Sequence, residues 1–319
     1  MFKTEVTEML GIKYPIIVGN MMNISKPKFV VACCNAGALG ILNSAQYRTV
    51  AKLREAIKEI KSLTDKPFSV NVNLFPMLQP VNQIDYIKCM LDEGVKIIET
   101  SGHSAPENYV PLFKDAGAIW MHKCTTVRHA KKAESIGADI IEVVGFENGG
   151  ATGNYHIATM VLVPSAVDAL NIPVIGGGGI SDGRGLVAVL SLGAGAGLIG
   201  TRLMMTQECP IHDKLKQAFI NSAETDTVLI LETLNATHRV WNNKAAKTVL
   251  ELESKKDTPA GEIFSVVAGV KAKKMYKKGE IDVGIVSCGQ GVGLAHDIPT
   301  VQELIDRIMK EAEDVVKKF

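Results

Sequence analysis

The sequence predicts an α/β protein, a (β/α)8 TIM barrel with a helical insertion or lid after the eighth strand. Eight short apolar segments alternate with helical patterns in the first two thirds of the 319 residues. Nearly continuous apolar strands, each followed by a helix, are typical of a parallel sheet that is covered on both faces. Eight such units within about 200 residues favour a closed barrel over an open, doubly wound sheet.

The strands and helices of this barrel follow one another in a regular order. Apolar residues three and four positions apart indicate amphipathic helices, for example at 50–63 and 127–137. A glycine before the next strand is typical of a helix end, and such glycines stand at Gly37, Gly94, Gly117, Gly137 and Gly193. The predicted strands are 15–19, 38–42, 68–74, 96–101, 118–124, 139–145, 173–179 and 196–202.

The rest of the chain departs from this alternation. Residues 207–275 are richer in polar residues and helix formers, so we predict a helical insertion or lid there. Residues 276–319 contain a glycine-rich loop, "SCGQGVGL", and an amphipathic helix that begins near Pro299. We therefore predict a barrel domain at 1–206 and a C-terminal segment, 276–319, that returns to this barrel.

Composition narrows the class of protein. Lys and Arg number 35 against 34 Asp and Glu, and no basic block stands out, which argues against a nucleic-acid or membrane partner. The six cysteines show neither a CxxC pair nor metal-ligand spacing, which is typical of reduced thiols in a cytoplasmic protein without a metal site. The N-terminus has no signal-peptide pattern, so we expect a cytoplasmic protein that acts on a small molecule.

Candidate site residues follow the predicted strands, where TIM barrels carry their chemistry. Glycine-rich turns after the seventh and eighth strands, "GGGGISDG" and "GTRLM", are suited to bind a phosphate through backbone N–H groups. Their alternative role is to close tight turns. Neither turn has the spacing of a P-loop or a Rossmann fingerprint. With Asn71 and Asn73 on one face of the third strand, this arrangement suits FMN.

Several longer motifs resemble those of one enzyme family. The motifs are "HKCTTVRHAKKAESIGAD", "GFENGG", "IPVIGGGGISDGRGLVAVLSLGA", "GTRLMMTQECPIH" and "SCGQGVGL". They resemble the nitronate monooxygenases, formerly called 2-nitropropane dioxygenases, and most of all the branch of NAD(P)H:quinone reductases. The flavin enoyl-ACP reductases are a sister branch that resembles "SLTDKPFSVNVNL". The resemblance spans nearly the whole chain.

This resemblance implies an FMN-binding barrel, with NAD(P)H as a candidate co-substrate and a homodimer as a candidate assembly. It implies that Lys123 contacts the flavin. A cation in this place would also stabilise negative charge on the reduced ring. The implied flavin contacts are Gly19, Asn20, Met21, Asn71, Lys123, Gly149, Gly150, Gly178, Gly179, Gly200 and Thr201.

One position departs from the pattern of the family. The family loop reads E-x-G-G-H-x-G, and its histidine is the base or a hydrogen-bonding group for the substrate. This chain has "ENGGATG", with Ala151 where the histidine is expected. A methyl group accepts no proton, so the resemblance implies that the usual catalytic group is absent.

Other side chains are candidates for the missing role. We predict His156, Lys123 and His122 as catalytic residues, although His122 and His156 could also pack or cap. Further candidates are His103, which could simply be solvated, Thr152, Tyr155, and Cys124, which could be a buried structural thiol.

Three functions remain open. The first is an FMN-dependent oxidoreductase of the nitronate monooxygenase type. The second is an NAD(P)H-dependent FMN reductase that acts on a quinone or an enoyl thioester. The third is a flavin-binding protein without catalytic activity, and the intact glycine loops argue against it.

Overall fold

The structure, a computed structural model, describes residues 2–75, 81–102 and 104–318 of the chain. Its strands are β1 (Ile16–Val18), β2 (Gly40–Asn43), β3 (Phe68–Asn73), β4 (Ile97–Ser101), β5 (Ile119–Cys124), β6 (Ile140–Val144), β7 (Gly150–Ala151), β8 (Val174–Gly177), β9 (Ala196–Ile199), β10 (Thr227–Ile230) and β11 (His238–Trp241).

The α-helices of the described residues are α1 (Glu5–Leu10), α2 (Pro27–Asn35), α3 (Val50–Leu63), α4 (Gln83–Asp92), α5 (Val110–Asp115), α6 (Val127–Ser135), α7 (Thr159–Ala169), α8 (Gly183–Ser191), α9 (Thr201–Met204), α10 (Asp213–Ile220), α11 (Lys244–Glu253), α12 (Ala260–Val267), α13 (Gly269–Lys278) and α14 (Val301–Val316). Short 3-10 helices lie at Ser44–Gln46 and Gln290–Leu294.

The parallel strands close into the predicted barrel. Within the described residues, eight strands pair in the order β1-β9-β8-β6-β5-β4-β3-β2. The gap between β2 and β1 is closed by a parallel bridge between Ile17 and Leu39. There the N–H of Val18 donates to the carbonyl of Leu39 at 2.9 Å, and the N–H of Leu39 donates to Ile16 at 2.9 Å. The prediction of a (β/α)8 barrel is confirmed, and each predicted strand overlaps an observed one.

The period of two along each strand divides the barrel interior into layers. Ile17, Leu39, Ile97 and Met121 belong to one apolar cluster inside the barrel, which helix α1 joins through Val6 and Leu10. Two residues further along β4 and β5, the same face carries Glu99 and Lys123. An apolar layer therefore lies beneath a polar layer, and the polar layer faces the carboxyl ends of the strands.

The region 207–275 contains strands as well as helices. Strand β11 pairs antiparallel with β10 and also with β7, which belongs to the loop after β6. This small sheet has its own buried apolar cluster, which includes Ile230, Val240 and Val249. The sequence analysis did not predict β10 and β11, because four-residue strands between helical patterns give too few residues to show a period of two.

The C-terminal helix packs against the outside of the barrel. Thr300 caps helix α14, and its hydroxyl group and the Glu303 carboxylate form a capping box. Helix α14 lies against α8, where the Glu311 carboxylate accepts a hydrogen bond from the N–H of Gly183 at 3.0 Å. No helix in the described part of the chain has the length and apolar character that a membrane span requires.

Candidate active site

A cavity of about 300 Å³ opens at the carboxyl end of the barrel. This volume lies at the lower end of the range of small-molecule sites, about 300–1,000 Å³. Ten of the eleven predicted flavin contacts line the cavity, and these are Gly19, Asn20, Met21, Lys123, Gly149, Gly150, Gly178, Gly179, Gly200 and Thr201. The structure therefore brings together the turns that follow β1, β8 and β9, the end of β5 and the 145–156 loop.

The glycines of the cavity wall are there for different physical reasons. Gly178 and Gly179 have φ angles of 112° and 72°, a region that L side chains rarely adopt. A Cβ atom at Gly149 would lie 2.7 Å from the amide nitrogen of Gly289, so this glycine allows two loops to touch. A Cβ atom at Gly200 would meet no atom of the described residues within 4 Å, so a side chain there would enter open space.

A polar cluster inside the barrel forms the floor beneath the cavity. Lys123 Nζ lies 2.5 Å from Glu99 Oε1, and Asn71 Nδ2 donates to Glu99 Oε2 at 2.7 Å. Asn71 also donates to Ser101 Oγ at 3.1 Å, and Ser101 lines the cavity. Asn71 itself is fully buried and does not line the cavity, so it supports residues of the wall from below.

The charges of this cluster are coupled. Burial disfavours the charged form of Lys123, but the nearby Glu99 and Glu142 carboxylates more than offset this, so the pKa of Lys123 is raised. Burial, together with the negative charge of Glu99, raises the pKa of Glu142 well above its usual range. The protonated form of Glu142 is therefore favoured, while the Lys123 ammonium group pairs with the Glu99 carboxylate.

The 145–156 loop is held on both sides. The Glu147 carboxylate accepts hydrogen bonds from the Thr159 N–H at 3.1 Å and from the Thr159 hydroxyl at 2.9 Å, at the start of α7. Asn148 Nδ2 donates to the carbonyls of Gly145 and Ala151. On the other side, Arg239 of β11 donates from Nε to the carbonyl of Phe146 at 2.8 Å. These contacts fix the backbone on which position 151 stands.

The predicted catalytic residue His122 faces away from the cavity. Since successive strand residues point to opposite faces, Lys123 faces the barrel interior and His122 faces the helices. His122 Nδ1 lies 2.7 Å from Thr100 Oγ1, which also accepts a hydrogen bond from Trp120 Nε1. Burial lowers the pKa of His122 to about 4, so it is a neutral core histidine.

The predicted catalytic residue His156 also lies outside the cavity wall. Its Nε2 is 3.0 Å from Glu232 Oε1, its side chain is 43% exposed, and its ring stacks on Phe146. The hydroxyl of Thr152 donates to the carbonyl of Gly153, and Tyr155 is exposed. The contact of His156 with Glu232 ties the loop to the insertion, and none of the three side chains lines the cavity.

Two other candidates were Cys124 and His103. Burial raises the pKa of the Cys124 thiol to about 12, so this cysteine is a protonated thiol at neutral pH. His103 lies outside the described residues.

The cavity also contains side chains that the sequence analysis did not name. They come from the insertion and from the C-terminal segment, and include His238, Tyr276 and Ser287. His238 Nε2 lies 2.9 Å from Ser287 Oγ. Ser287 begins the "SCGQGVGL" motif, but no local motif marks His238 or Tyr276, and His238 reaches the cavity through the pairing of β11 with β7.

Comparison with known proteins identifies the family. The sequence model of the family described as "Nitronate monooxygenase" matches residues 3–88 and 77–311. The chain belongs to the nitronate monooxygenase family. The resemblance that the motifs indicated is thereby confirmed, and the chain is an oxidoreductase of a flavin-dependent family.

Three of the similar proteins extend over nearly the whole chain. The (3aS,4S,5R,7aS)-5-hydroxy-7a-methyl-1-oxo-octahydro-1H-indene-4-carboxyl-CoA dehydrogenase of Rhodococcus jostii is 32% identical, over 97% of this chain and 96% of that protein. A probable nitronate monooxygenase of Staphylococcus saprophyticus is 28% identical, over 99% of each protein. The solved structure of FabK from Thermotoga maritima is 31% identical, with a TM-score of 0.92, over 100% of this chain and 98% of that one.

Proposed function

We propose that this nitronate monooxygenase family member is an FMN-dependent oxidoreductase that acts on a small organic substrate. The observation that carries the proposal is the wall of the cavity, where glycine backbone from separate strand ends lines the same space as Lys123. Backbone N–H groups and a fixed cation suit a phosphate and an electron-rich ring. The open space above Gly200 gives such a group room that a side chain would remove.

The residues of the wall divide into two groups by their chemistry. The turns at 178–179 and 200–201 offer backbone N–H groups for the phosphate, while Lys123 lies where it can stabilise negative charge on the ring. Thr201 Oγ1 accepts a hydrogen bond from the N–H of Gly289 at 2.9 Å, which holds the turn after β9 against the C-terminal segment. When bound, FMN supplies the electron transfer chemistry that none of these side chains can provide.

The first candidate reaction is of the nitronate monooxygenase type. Ala151 can neither accept nor donate a proton, so position 151 supplies no base for a neutral nitroalkane. A preformed nitronate already carries the negative charge and needs no such base. Lys123 supplies a positive charge at the cavity wall that favours binding of this anion.

The second candidate is a reaction of an acyl thioester or a quinone, with NAD(P)H as co-substrate. The specific observation that favours a thioester is the 32% identity to a dehydrogenase whose name specifies a CoA substrate. A quinone needs little help from an acid or base, which is compatible with an alanine at position 151. Both candidates use the same cavity and the same flavin.

The cofactor is tested first. The purified protein should be yellow and should release a flavin on denaturation. Chromatography and mass spectrometry should identify this flavin as FMN. Release of FAD would refute the choice of FMN. A colourless protein that fails to take up added FMN would refute the proposed function.

The substrate class is tested by stopped-flow mixing without oxygen. The holoenzyme is mixed separately with ethyl nitronate, NADH and NADPH, and loss of the flavin absorbance is followed. Bleaching by ethyl nitronate supports the first candidate. Bleaching by a nicotinamide, followed by reoxidation with crotonyl-CoA or a quinone, supports the second. A flavin that none of these reagents reduces would contradict both candidates.

A further inference from the structure

We propose that His238 is the residue that exchanges a proton with the substrate, in the role that Ala151 cannot fill. The inference rests on the proposed function, since it assumes that the substrate enters the same cavity. It concerns a side chain of the insertion, far in sequence from the glycine-rich motifs of the barrel. Its support comes from strand register, from the contacts of the imidazole and from the small residues around it.

The register of the small sheet places His238 directly opposite Ala151. Side chains directly opposite each other in an antiparallel pair project from the same face of the sheet, with Cβ atoms about 4.5–5.5 Å apart. Both residues line the cavity. The imidazole of His238 therefore enters the cavity from the neighbouring strand, beside the position where a side chain at 151 would project.

The small residues of β7 leave room for this ring. A Cβ atom built on Gly150 would lie 3.8 Å from Cε1 and 3.8 Å from Nε2 of His238, so the ring packs over the backbone of this glycine. The methyl group of Ala151 adds little bulk beside it. A histidine at 151 would place a second imidazole on the same wall, next to the first. Alanine at 151 and histidine at 238 are therefore compatible in space.

The contacts of the ring leave one nitrogen available. Nε2 is 2.9 Å from Ser287 Oγ, while Nδ1 has no hydrogen-bond partner in the described part of the chain. If Nε2 carries the hydrogen and donates it to Ser287, then Nδ1 has the free lone pair. Burial lowers the pKa of His238 to about 4, so the imidazole is neutral at pH 7 and its lone pair can accept a proton.

The proton transfer can be written as a balanced step. A C–H bond next to an electron-withdrawing group of the substrate breaks, and an N–H bond forms at Nδ1 of His238. The electron pair stays on the substrate as a nitronate or an enolate, and the imidazole becomes an imidazolium ion. Lys123, which lines the same cavity, stabilises the negative charge that remains on the substrate. The step needs no oxidant, so it can be measured apart from flavin reduction.

The test measures hydrogen–deuterium exchange on two carbon acids. Nitroethane and acetoacetyl-CoA are incubated separately with the holoenzyme in D2O without oxygen, and loss of the acidic C–H signal is followed by NMR. Four variants are compared with the native protein: His238→Gln, the double variant Ala151→His/His238→Gln, His156→Ala, and His129→Gln as a matched control. His129 lies on α6 and does not line the cavity.

We expect enzyme-dependent exchange on at least one of the two probes. General acid–base catalysis is typically worth about 10²–10⁴-fold, so His238→Gln should slow this exchange by about 10²-fold or more. The double variant should recover a measurable part of the rate, because it returns an imidazole to the opposite position of the same strand pair. His129→Gln should exchange at the native rate.

The flavin affinity of each variant, from fluorescence titration with FMN, separates a chemical effect from a folding defect. If His238→Gln binds FMN normally but exchanges at the native rate, the inference is wrong. It is equally wrong if neither probe exchanges faster with native protein than in buffer, or if His156→Ala alone abolishes the exchange. If exchange depends on His238 but nothing reduces the flavin, the proposed function fails while the assignment of His238 stands.

Discussion

Lys123 Nζ and Glu99 Oε1 are 2.5 Å apart in the interior of the barrel, on adjacent parallel strands and directly beneath the cavity. Glu99 is fully buried, and the Lys123 side chain is 20% exposed because it reaches the cavity wall. Glu142, on the next strand, is also buried, and burial together with the charge of Glu99 raises its pKa well above the usual range. The two carboxyl groups therefore share the role of counter-ion to one cation, Lys123.

This sharing predicts that the two carboxyl groups can replace each other as the counter-ion. In Glu99→Gln, the negative charge that helped to raise the pKa of Glu142 is removed, so Glu142 can ionise and pair with Lys123. Glu142→Gln replaces a carboxyl group whose protonated form burial favours by a neutral amide of similar shape. Each single variant should therefore lose only about 1–2 kcal/mol of unfolding free energy in urea, as typical single substitutions do.

The double variant Glu99→Gln/Glu142→Gln should lose more than the sum of the two single variants. It leaves Lys123 without a buried counter-ion, and an unpaired buried charge typically costs about 3–5 kcal/mol. The coupling is read from the double-mutant cycle. Adding Lys123→Met should restore part of the stability. Additive losses would show that the two carboxyl groups do not share the charge.

The cavity wall predicts a specific effect of Gly200→Val on flavin binding. A side chain at 200 meets open space rather than protein, so the apoprotein should keep its thermal stability. The valine would occupy cavity volume, and FMN affinity measured by fluorescence titration should fall by tenfold or more, about 1.4 kcal/mol.

Gly178→Val should behave differently from Gly200→Val. At φ 112°, a Cβ atom would lie 2.5 Å from Thr159 Oγ1, so this variant should lose stability whether or not FMN is present. Gly261→Val is the matched control for Gly200→Val, since a Cβ atom there also meets no described atom within 4 Å and Gly261 does not line the cavity. Equal FMN affinity of Gly200→Val and Gly261→Val would place the flavin elsewhere.

The barrel and its glycine turns could be predicted from the sequence because their signals are local. A run of apolar residues followed by glycines specifies both a strand and the turn at its end, and the period of two brings Lys123 to the interior. The same period shows that His122, its immediate neighbour, must face the helices. The prediction of His122 as a catalytic residue did not use this argument.

The position of His238 could not be predicted in this way. It depends on the pairing of two short strands that are far apart in the chain, and a shift of one residue in register would turn the side chain to the other face. Likewise, Ser287 meets His238 only after the chain has left the insertion and returned to the barrel. Contacts of this kind are properties of the folded chain, so no local motif contains them.

The lowered pKa of His122 predicts that the folded protein loses stability as the pH falls. Its pKa is about 4 in the folded protein and 6.5 is the ordinary value, so between these pH values the unfolded chain binds a proton that the folded protein rejects. The stability should therefore fall as the pH falls from 6.5 towards 4, by up to about 1.4 kcal/mol per pH unit from this group. His122→Gln should reduce the slope by that amount.

The measurement is urea unfolding at several pH values for the native protein and for His122→Gln. The difference between the two proteins is the readout, because the carboxyl groups that titrate in the same range are common to both. The glutamine amide can either accept from or donate to the Thr100 hydroxyl, so the variant should fold. Equal slopes for the two proteins would show that His122 binds its proton equally in the folded and unfolded states.

The last prediction concerns the pH dependence of the exchange catalysed by His238. The ring accepts a proton only while it is neutral, and burial lowers its pKa to about 4. The other titratable groups of the wall are Lys123, Glu147 and Tyr276. The nearby carboxylates raise the pKa of Lys123 and more than offset the effect of burial. Burial raises the pKa of Tyr276. Both groups therefore keep their protons up to pH 8.

The exchange rate, after subtraction of the buffer reaction, should therefore stay nearly constant from pH 8 to pH 5. It should decrease below pH 5 with an apparent pKa near 4, rather than near the usual 6.5 of a solvated histidine. In Ala151→His/His238→Gln, the exchange rate should decrease around the pKa of the new imidazole. In His238→Gln, the residual exchange rate should show no decrease near pH 4. If the decrease persists unchanged in His238→Gln, another titratable group of the wall causes it. Glu147→Gln would then be the next variant to measure, since Glu147 also lines the cavity.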